Sequence, residues 1–131
     1  DLLRKHPLLF IRIRISKLRN KYFNKPIVYD YANECEKLTT RSPRFKNAVP
    51  GMYTGWDKTP RNGTKAMIYK GSTPQNFYKY LRKQILRAKE VYKTDYLFIT
   101  AWNEWGEGAY LEPDEQYKYS YLNALKKAVE E

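Results

Sequence analysis

The chain of 131 residues has a single cysteine and a single histidine. With Cys35 alone there is no partner for an intramolecular disulfide and no cysteine zinc cluster. His6 stands far from any acid-rich segment, which argues against a Ser-His-Asp triad and against a multi-histidine metal site. No apolar run approaches ~20 residues, so the sequence contains no segment suited to span a bilayer. A glycine-rich phosphate loop is missing, and Tyr29–Tyr31 carries one acid where an Asp-x-Asp metal motif needs two. Internal repeats, low-complexity tracts, a signal peptide and an initiator methionine are absent as well. Starting at Asp1, the sequence is expected to be an excised fragment or a processed product, with cytoplasmic location favoured.

Aromatic residues and positive charge are abundant. Thirteen tyrosines and three tryptophans take the chain away from disordered compositions, and the length suits one domain with a real core. Twenty-five basic residues against fourteen acidic ones give a net charge of +11, which favours anionic partners such as nucleic acid, a membrane surface or an acidic polymer. The charge is segregated: Arg4 to Lys25 holds no acid, and Glu104 to Glu115 holds five acids and no base. No RNA- or DNA-binding motif accompanies the basic excess, so a specific nucleic-acid partner is not expected.

Along the chain, Pro7–Phe23 is ambiguous between strand and helix: Ile11, Ile13 and Ile15 alternate with arginines, while the basic tail favours a helix. Lys25–Tyr31 predicts a strand, followed by a polar, helical stretch through Asn33, Glu34 and Glu36. Ala48–Gly71 holds four glycines and two prolines and predicts short strands broken by turns, Ala66–Tyr69 among them. Ser72–Tyr92 predicts a helix with Thr73 as N-cap, Pro74 at the first position and a stripe of Phe77, Leu81, Ile85, Ala88 and Tyr92. Asp95–Asn103 predicts a buried strand, and Tyr117–Val129 an amphipathic helix whose face is Tyr121, Leu122, Leu125, Ala128 and Val129. Alternation of this kind argues for an α/β fold with parallel strands. A complete (β/α)8 barrel needs about 250 residues, so there is room here for about half of one.

The segment Thr100–Asp114, TAWNEWGEGAYLEPD, carries two tryptophans, two glycines and four carboxylates just after a strand, where α/β sites form. Side-chain alternation along an extended chain sends Glu104 and Glu107 to opposite sides, but Gly106 and Gly108 allow a turn that brings both into one pocket. A carboxylate pair among flat aromatics suits glycoside chemistry, with one carboxyl moving a proton and the other assisting at the sugar. Trp102, Trp105 and Tyr110 would stack on sugar faces and Asn103 would bind hydroxyls. The competing reading makes the tryptophans core residues and the glutamates solvated loop charges. In Gly55–Gly63, Trp56 and Asp57 would line a sugar site and Arg61 would neutralise an anionic group; the alternative there is a glycine-stabilised turn around a buried tryptophan.

At these residues the chain resembles the WbsX-type bacterial polysaccharide-biosynthesis proteins, often labelled glycosyltransferases yet similar to glycoside hydrolase family 99, the endo-mannosidase barrels. The resemblance runs on through VYDY (28–31), PGMYTGWDKTPRNG (50–63), GSTPQNF (71–77) and YKYSYLNALKKA (117–128), covering about residues 25 to 129. It implies the C-terminal part of a (β/α)8 barrel, bacterial surface-polysaccharide (lipopolysaccharide, O-antigen) metabolism, and an oligo- or polysaccharide substrate with no cofactor and no metal. Glu104 would polarise the sugar 2-hydroxyl and Glu107 would act as general acid/base, in a retaining reaction through a 1,2-anhydro sugar. Family 99 hydrolases commonly carry histidine where this chain has Gly106. Two further readings stand beside this one: a non-catalytic basic module binding an acidic polymer or nucleic acid, and part of a glycosyltransferase. The fragment alone is expected to be inactive and to form a homo-oligomer.

Overall fold

The computed structural model describes residues 24–131 together with Ile11, Arg14, Ile15 and Leu18. Those four are helical, and the rest of the ambiguous Pro7–Phe23 segment, with most of its basic run, lies outside the described residues. The chain then forms β1 (Ile27–Asp30), α1 (Tyr31–Thr40), β2 (Gly51–Tyr53), the single turn α2 (Thr59–Asn62), β3 (Met67–Lys70), α3 (Pro74–Arg87), β4 (Phe98–Thr100), the short β5 (Asn103–Glu104) and β6 (Ala109–Tyr110), and α4 (Ser120–Glu130).

The long-range strand pairs are parallel. β1 lies beside β3 with Val28 opposite Ile68, and β2 lies beside β4 with Met52 opposite Ile99. Parallel neighbours need a crossover, and α3 supplies it for the β2–β4 pair. The second edge of β3 takes the Trp56–Lys58 segment in antiparallel fashion: Tyr69 N donates to Trp56 O (2.8 Å) and Lys58 N donates to Met67 O (3.1 Å). One continuous stretch, Gly51 to Lys58, therefore stitches the two parallel pairs together. The fold is α/β with small parallel sheets.

Capping residues set the helix starts. Asp30 accepts from Asn33 N (2.8 Å) at the head of α1. Thr73 Oγ1 accepts from Asn76 N (3.2 Å) at the head of α3, and Pro74 occupies a position with no intrahelical partner to lose. Beyond Arg87 the helix widens into a π turn, Ala88–Tyr92, which Lys93 ends in the left-handed region (φ 55°).

The core is unusually aromatic. Tyr31, Cys35, Met52, Phe77, Tyr80, Leu81, Leu111 and Tyr121 form one buried cluster, which Ala124 and Ala128 of α4 close. Tyr31 is fully buried, donates to Tyr53 O (2.7 Å) and meets the Tyr53 ring edge-on. The buried face of α3 is wider than its sequence stripe. Tyr80 and Gln84 are buried with Phe77 and Leu81, whereas Ile85 and Tyr92 are half-covered. The reason is that α3 packs on α1, α4 and β2 together. Gln84 uses its burial, donating Nε2 to Gly51 O (2.9 Å) and fixing the helix to β2.

Two expectations are corrected. The buried strand over Asp95–Asn103 is three residues long, and Phe98 is 70% exposed because only Leu97 and Ile99 turn to the core. Val129 lies outside the buried face of α4, 66% exposed, since that face is Tyr121, Ala124 and Ala128.

Candidate functional site

The site is built at the carboxyl end of β4. After Thr100, through a cis peptide bond to Ala101, the chain turns back on itself. Trp102 O accepts from Leu111 N (2.9 Å) and Glu112 N (3.0 Å), closing a hairpin whose antiparallel arms are β5 and β6. Its tip is a 3-10 turn, Trp105–Glu107, ended by Gly108 in the left-handed conformation (φ 60°). Gly108 is required there twice over: its φ disfavours side chains, and a Cβ would stand 3.2 Å from the Asp57 backbone nitrogen. That close approach accompanies a 2.7 Å hydrogen bond in which Asp57 N donates to Glu107 O.

The turn also removes the side-chain alternation. Glu104 Oε1 accepts from the Arg61 guanidinium at 2.7 Å. Glu107 Oε1 lies 3.0 Å from Lys58 Nζ, and its side chain is only 14% exposed. Lys58 and Arg61 are three residues apart on the α2 turn, so both carboxylates are turned to one short cationic segment. Gly106 makes room for this arrangement. A Cβ at that position would lie 2.6 Å from Arg61 Nε, inside the space the guanidinium takes.

The remaining expected residues divide into two groups. Trp56 sits beside the ion pairs, its ring centroid 5.9 Å from Lys58 Nζ and its buried indole N–H without a hydrogen-bond partner. Asp57 uses Oδ1 locally, accepting from Thr59 N (2.8 Å) and Thr59 Oγ1 (2.6 Å) to hold the α2 turn. On the other side of the hairpin Trp105 stacks on Tyr110 with centroids 3.9 Å apart and donates Nε1 to Glu112 Oε2 at 2.7 Å. Burial, with the Asp114 carboxylate next, pushes the Tyr110 hydroxyl up to about 12. Trp102 and Asn103 are exposed at the rim. Trp105, Pro113, Asp114, Glu115, Lys118 and Tyr119 line an open depression of about 380 Å³ beside the hairpin.

Lys58 and Glu112 belong to this site and were not singled out in the sequence. Lys58 had a local signal, its place in the Trp56–Arg61 motif; Glu112 had none, because its partner is fixed by a hairpin register. Among the described residues no cluster of three or more His, Cys, Asp or Glu side chains could hold a metal ion. The chemistry available is that of two carboxylates presented at one strand end, with hydrogen-bonding cations against them and aromatic faces on either side.

The family model described as "Glycosyltransferase WbsX" matches residues 5–125. Two proteins, each called "Uncharacterized protein WxcX", from strain B100 and from a second strain of Xanthomonas campestris pv. campestris, are 33% identical over 106 residues. That match covers 78% of this chain and 15% of the relatives, so the chain spans a small part of their length. No solved structure matches it. With the family model covering almost the whole chain and a relative a third identical, the chain belongs to the WbsX glycosyltransferase family.

Proposed function

We propose that this chain is the carboxylate-bearing, C-terminal part of a (β/α)8 barrel that acts on glycosidic bonds in bacterial surface polysaccharide. The observation that carries the reading is the convergence of Glu104 and Glu107 on the Lys58–Arg61 turn at the carboxyl end of a parallel strand. Barrel enzymes place their chemistry at that end. In the family-99-like route, Glu104 takes the proton of the sugar 2-hydroxyl as that oxygen attacks C1. The glycosidic bond breaks, and Glu107 gives a proton to the leaving oxygen. Water, losing its proton to Glu107, then opens the 1,2-anhydro ring at C1 while the 2-oxygen regains its proton. A sugar's hydroxyls would replace the contacts that Arg61 and Lys58 make with the two carboxylates, and Trp56 Nε1–H is a donor still to be satisfied there.

Glu107→Gln in a full-length family protein containing this segment is expected to lower turnover roughly 10²–10⁴-fold. Oligosaccharide binding, followed by tryptophan fluorescence, is expected to persist. Unchanged turnover would rule out the acid/base role. The family's transferase label supports a second reading, and consumption of a nucleotide sugar in place of hydrolysis would select it.

The isolated chain is expected to be inactive, since a sugar must be held across loops that only a complete barrel supplies. It is also expected to self-associate. Among the described residues β4 pairs on one edge only, and Tyr96 and Phe98 beside it are strongly exposed. Light scattering checks this: a strict monomer at high concentration would sink the assembly, and turnover by the isolated chain would sink the inactivity.

A further inference from the structure

The opposite end of the β2–β4 pair carries a different surface. Residues 41–50 lead from α1 into β2, and residues 93–97 lead from the end of α3 into β4. Because β2 and β4 are parallel, these two connections meet at the amino end of the pair, where Phe98 N donates to Pro50 O (3.1 Å). Arg87 ties them together from α3 by donating its guanidinium to Arg41 O (2.7 Å). Pro43, Arg44, Phe45, Lys46, Val91 and Tyr92 line one shallow depression of about 400 Å³ there.

Two properties of this end need an explanation. Phe45 is 76% exposed, between Arg44 and Lys46, and Val91 on the facing turn is exposed as well. Arg44 and Lys46 line the depression with these apolar tips, and the flanking segments carry three more exposed cations, Arg41, Lys89 and Lys93, against two exposed acids, Glu90 and Asp95. A soluble polyanion uses the cations, and a single-stranded nucleic acid could stack on the phenyl ring, but neither gains from the exposed valine beside it. A bilayer carrying anionic headgroups uses both: cations settle among the phosphates while phenyl and valine side chains enter the boundary with the acyl chains. No helix among the described residues is long and apolar enough to cross a membrane, so this contact would be made at the surface.

We infer that the amino end of β2–β4, with Phe45 at its tip, is a peripheral docking surface for an anionic lipid bilayer. Charge complementarity selects this partner, and the apolar tips give it depth. Glu104 and Glu107 lie at the carboxyl end of β4, away from the docked face, so a bound molecule keeps that site open to solution.

Sedimentation of the whole 131-residue chain with vesicles tests the inference. Binding is expected to vesicles of equal parts phosphatidylglycerol and phosphatidylcholine, to be lost on pure phosphatidylcholine, and to weaken with salt. Arg44→Gln with Lys46→Gln is expected to weaken binding by about tenfold or more, and Phe45→Ser by about tenfold, for two headgroup-facing cations and one phenyl ring entering the bilayer boundary. All three side chains are exposed, so circular dichroism is expected to be unchanged. Lys70→Gln with Lys118→Gln removes two exposed cations outside the patch and is expected to leave binding nearly intact. An equal loss from that pair would overturn the inference in favour of bulk charge. Absence of vesicle binding at low salt would overturn it outright. So would equally tight binding to heparin or DNA that ignores Phe45→Ser, which would make the partner a polyanion.

Discussion

Helix α3 packs on β2, the hairpin from Trp102 to Leu111 follows directly from β4, and the two are held by opposite means. α3 buries Phe77, Tyr80, Leu81 and Gln84 between α1, α4 and β2. The hairpin buries little beyond Ala109 and Leu111 and is fastened by backbone hydrogen bonds to Trp102 and Asp57 and by two ion pairs. Apolar burial is non-directional and strong, about 1.5–3 kcal/mol for each large side chain, while a half-exposed ion pair such as Arg61–Glu104 contributes from nothing to about 1 kcal/mol. A region fastened in the second way can exchange its polar partners for a ligand's without unfolding. The division of labour is therefore physical: α3 carries stability, and the hairpin carries replaceable contacts.

The contrast is broken most forcefully at Phe77. Its ring is fully buried against Tyr121, centroid to centroid 5.6 Å. Phe77→Ala is expected to cost about 3–5 kcal/mol, a large part of the stability of a domain this size, measured by urea denaturation. A loss no larger than that of a hairpin ion pair would remove the distinction drawn here.

A second, smaller effect reports on the same core through pH. Burial pushes the Cys35 thiol up to about 11 from its ordinary 9.0, against the neighbouring Tyr53 and Tyr31 hydroxyls, which act the other way. The thiol is neutral when protonated, and its folded value is raised. The stabilisation is thus fully present below pH 9 and is lost as pH rises through 11. Stability measured across that window is expected to fall, and the fall is expected to be shallower in Cys35→Ala. Fast reaction of Cys35 with a thiol reagent at neutral pH, in the folded protein, would contradict this burial.

These two regions were also unequally legible in the sequence. Thr73 and Pro74 announced α3 because capping is local chemistry, and Phe77 and Leu81 followed from helical spacing. Tyr80 and Gln84 did not, since their burial depends on neighbours distant in sequence. The hairpin showed the reverse pattern. Its position after a strand and its glycines were readable, and so was the chance of a turn that unites Glu104 with Glu107. Their partners were not: Arg61 and Lys58 reach the hairpin only because the Trp56–Lys58 segment pairs with β3. Sequence spacing carries no trace of that contact. Arg61, expected at an anionic substrate group, is seated on Glu104.

The finest test separates the two hairpin glycines. Gly108→Ala places a side chain at φ 60° and 3.2 Å from rigid Asp57 backbone, so it is expected to cost about 1–3 kcal/mol and to loosen the hairpin from Trp56–Lys58. Gly106→Ala meets only the end of the Arg61 side chain, which can swing into solvent. Its stability cost is expected to stay near 0.5 kcal/mol, the range of ordinary surface substitutions. What it removes is the seat that holds Arg61 on Glu104. A double-mutant cycle makes the difference measurable. Arg61→Ala in the parent chain forfeits the ion pair, at most about 1 kcal/mol, whereas in the Gly106→Ala background that pair is already gone and the same change is expected to cost nothing. Equal costs in both backgrounds would mean that Arg61 keeps Glu104 without Gly106, and that the glycine serves the turn alone.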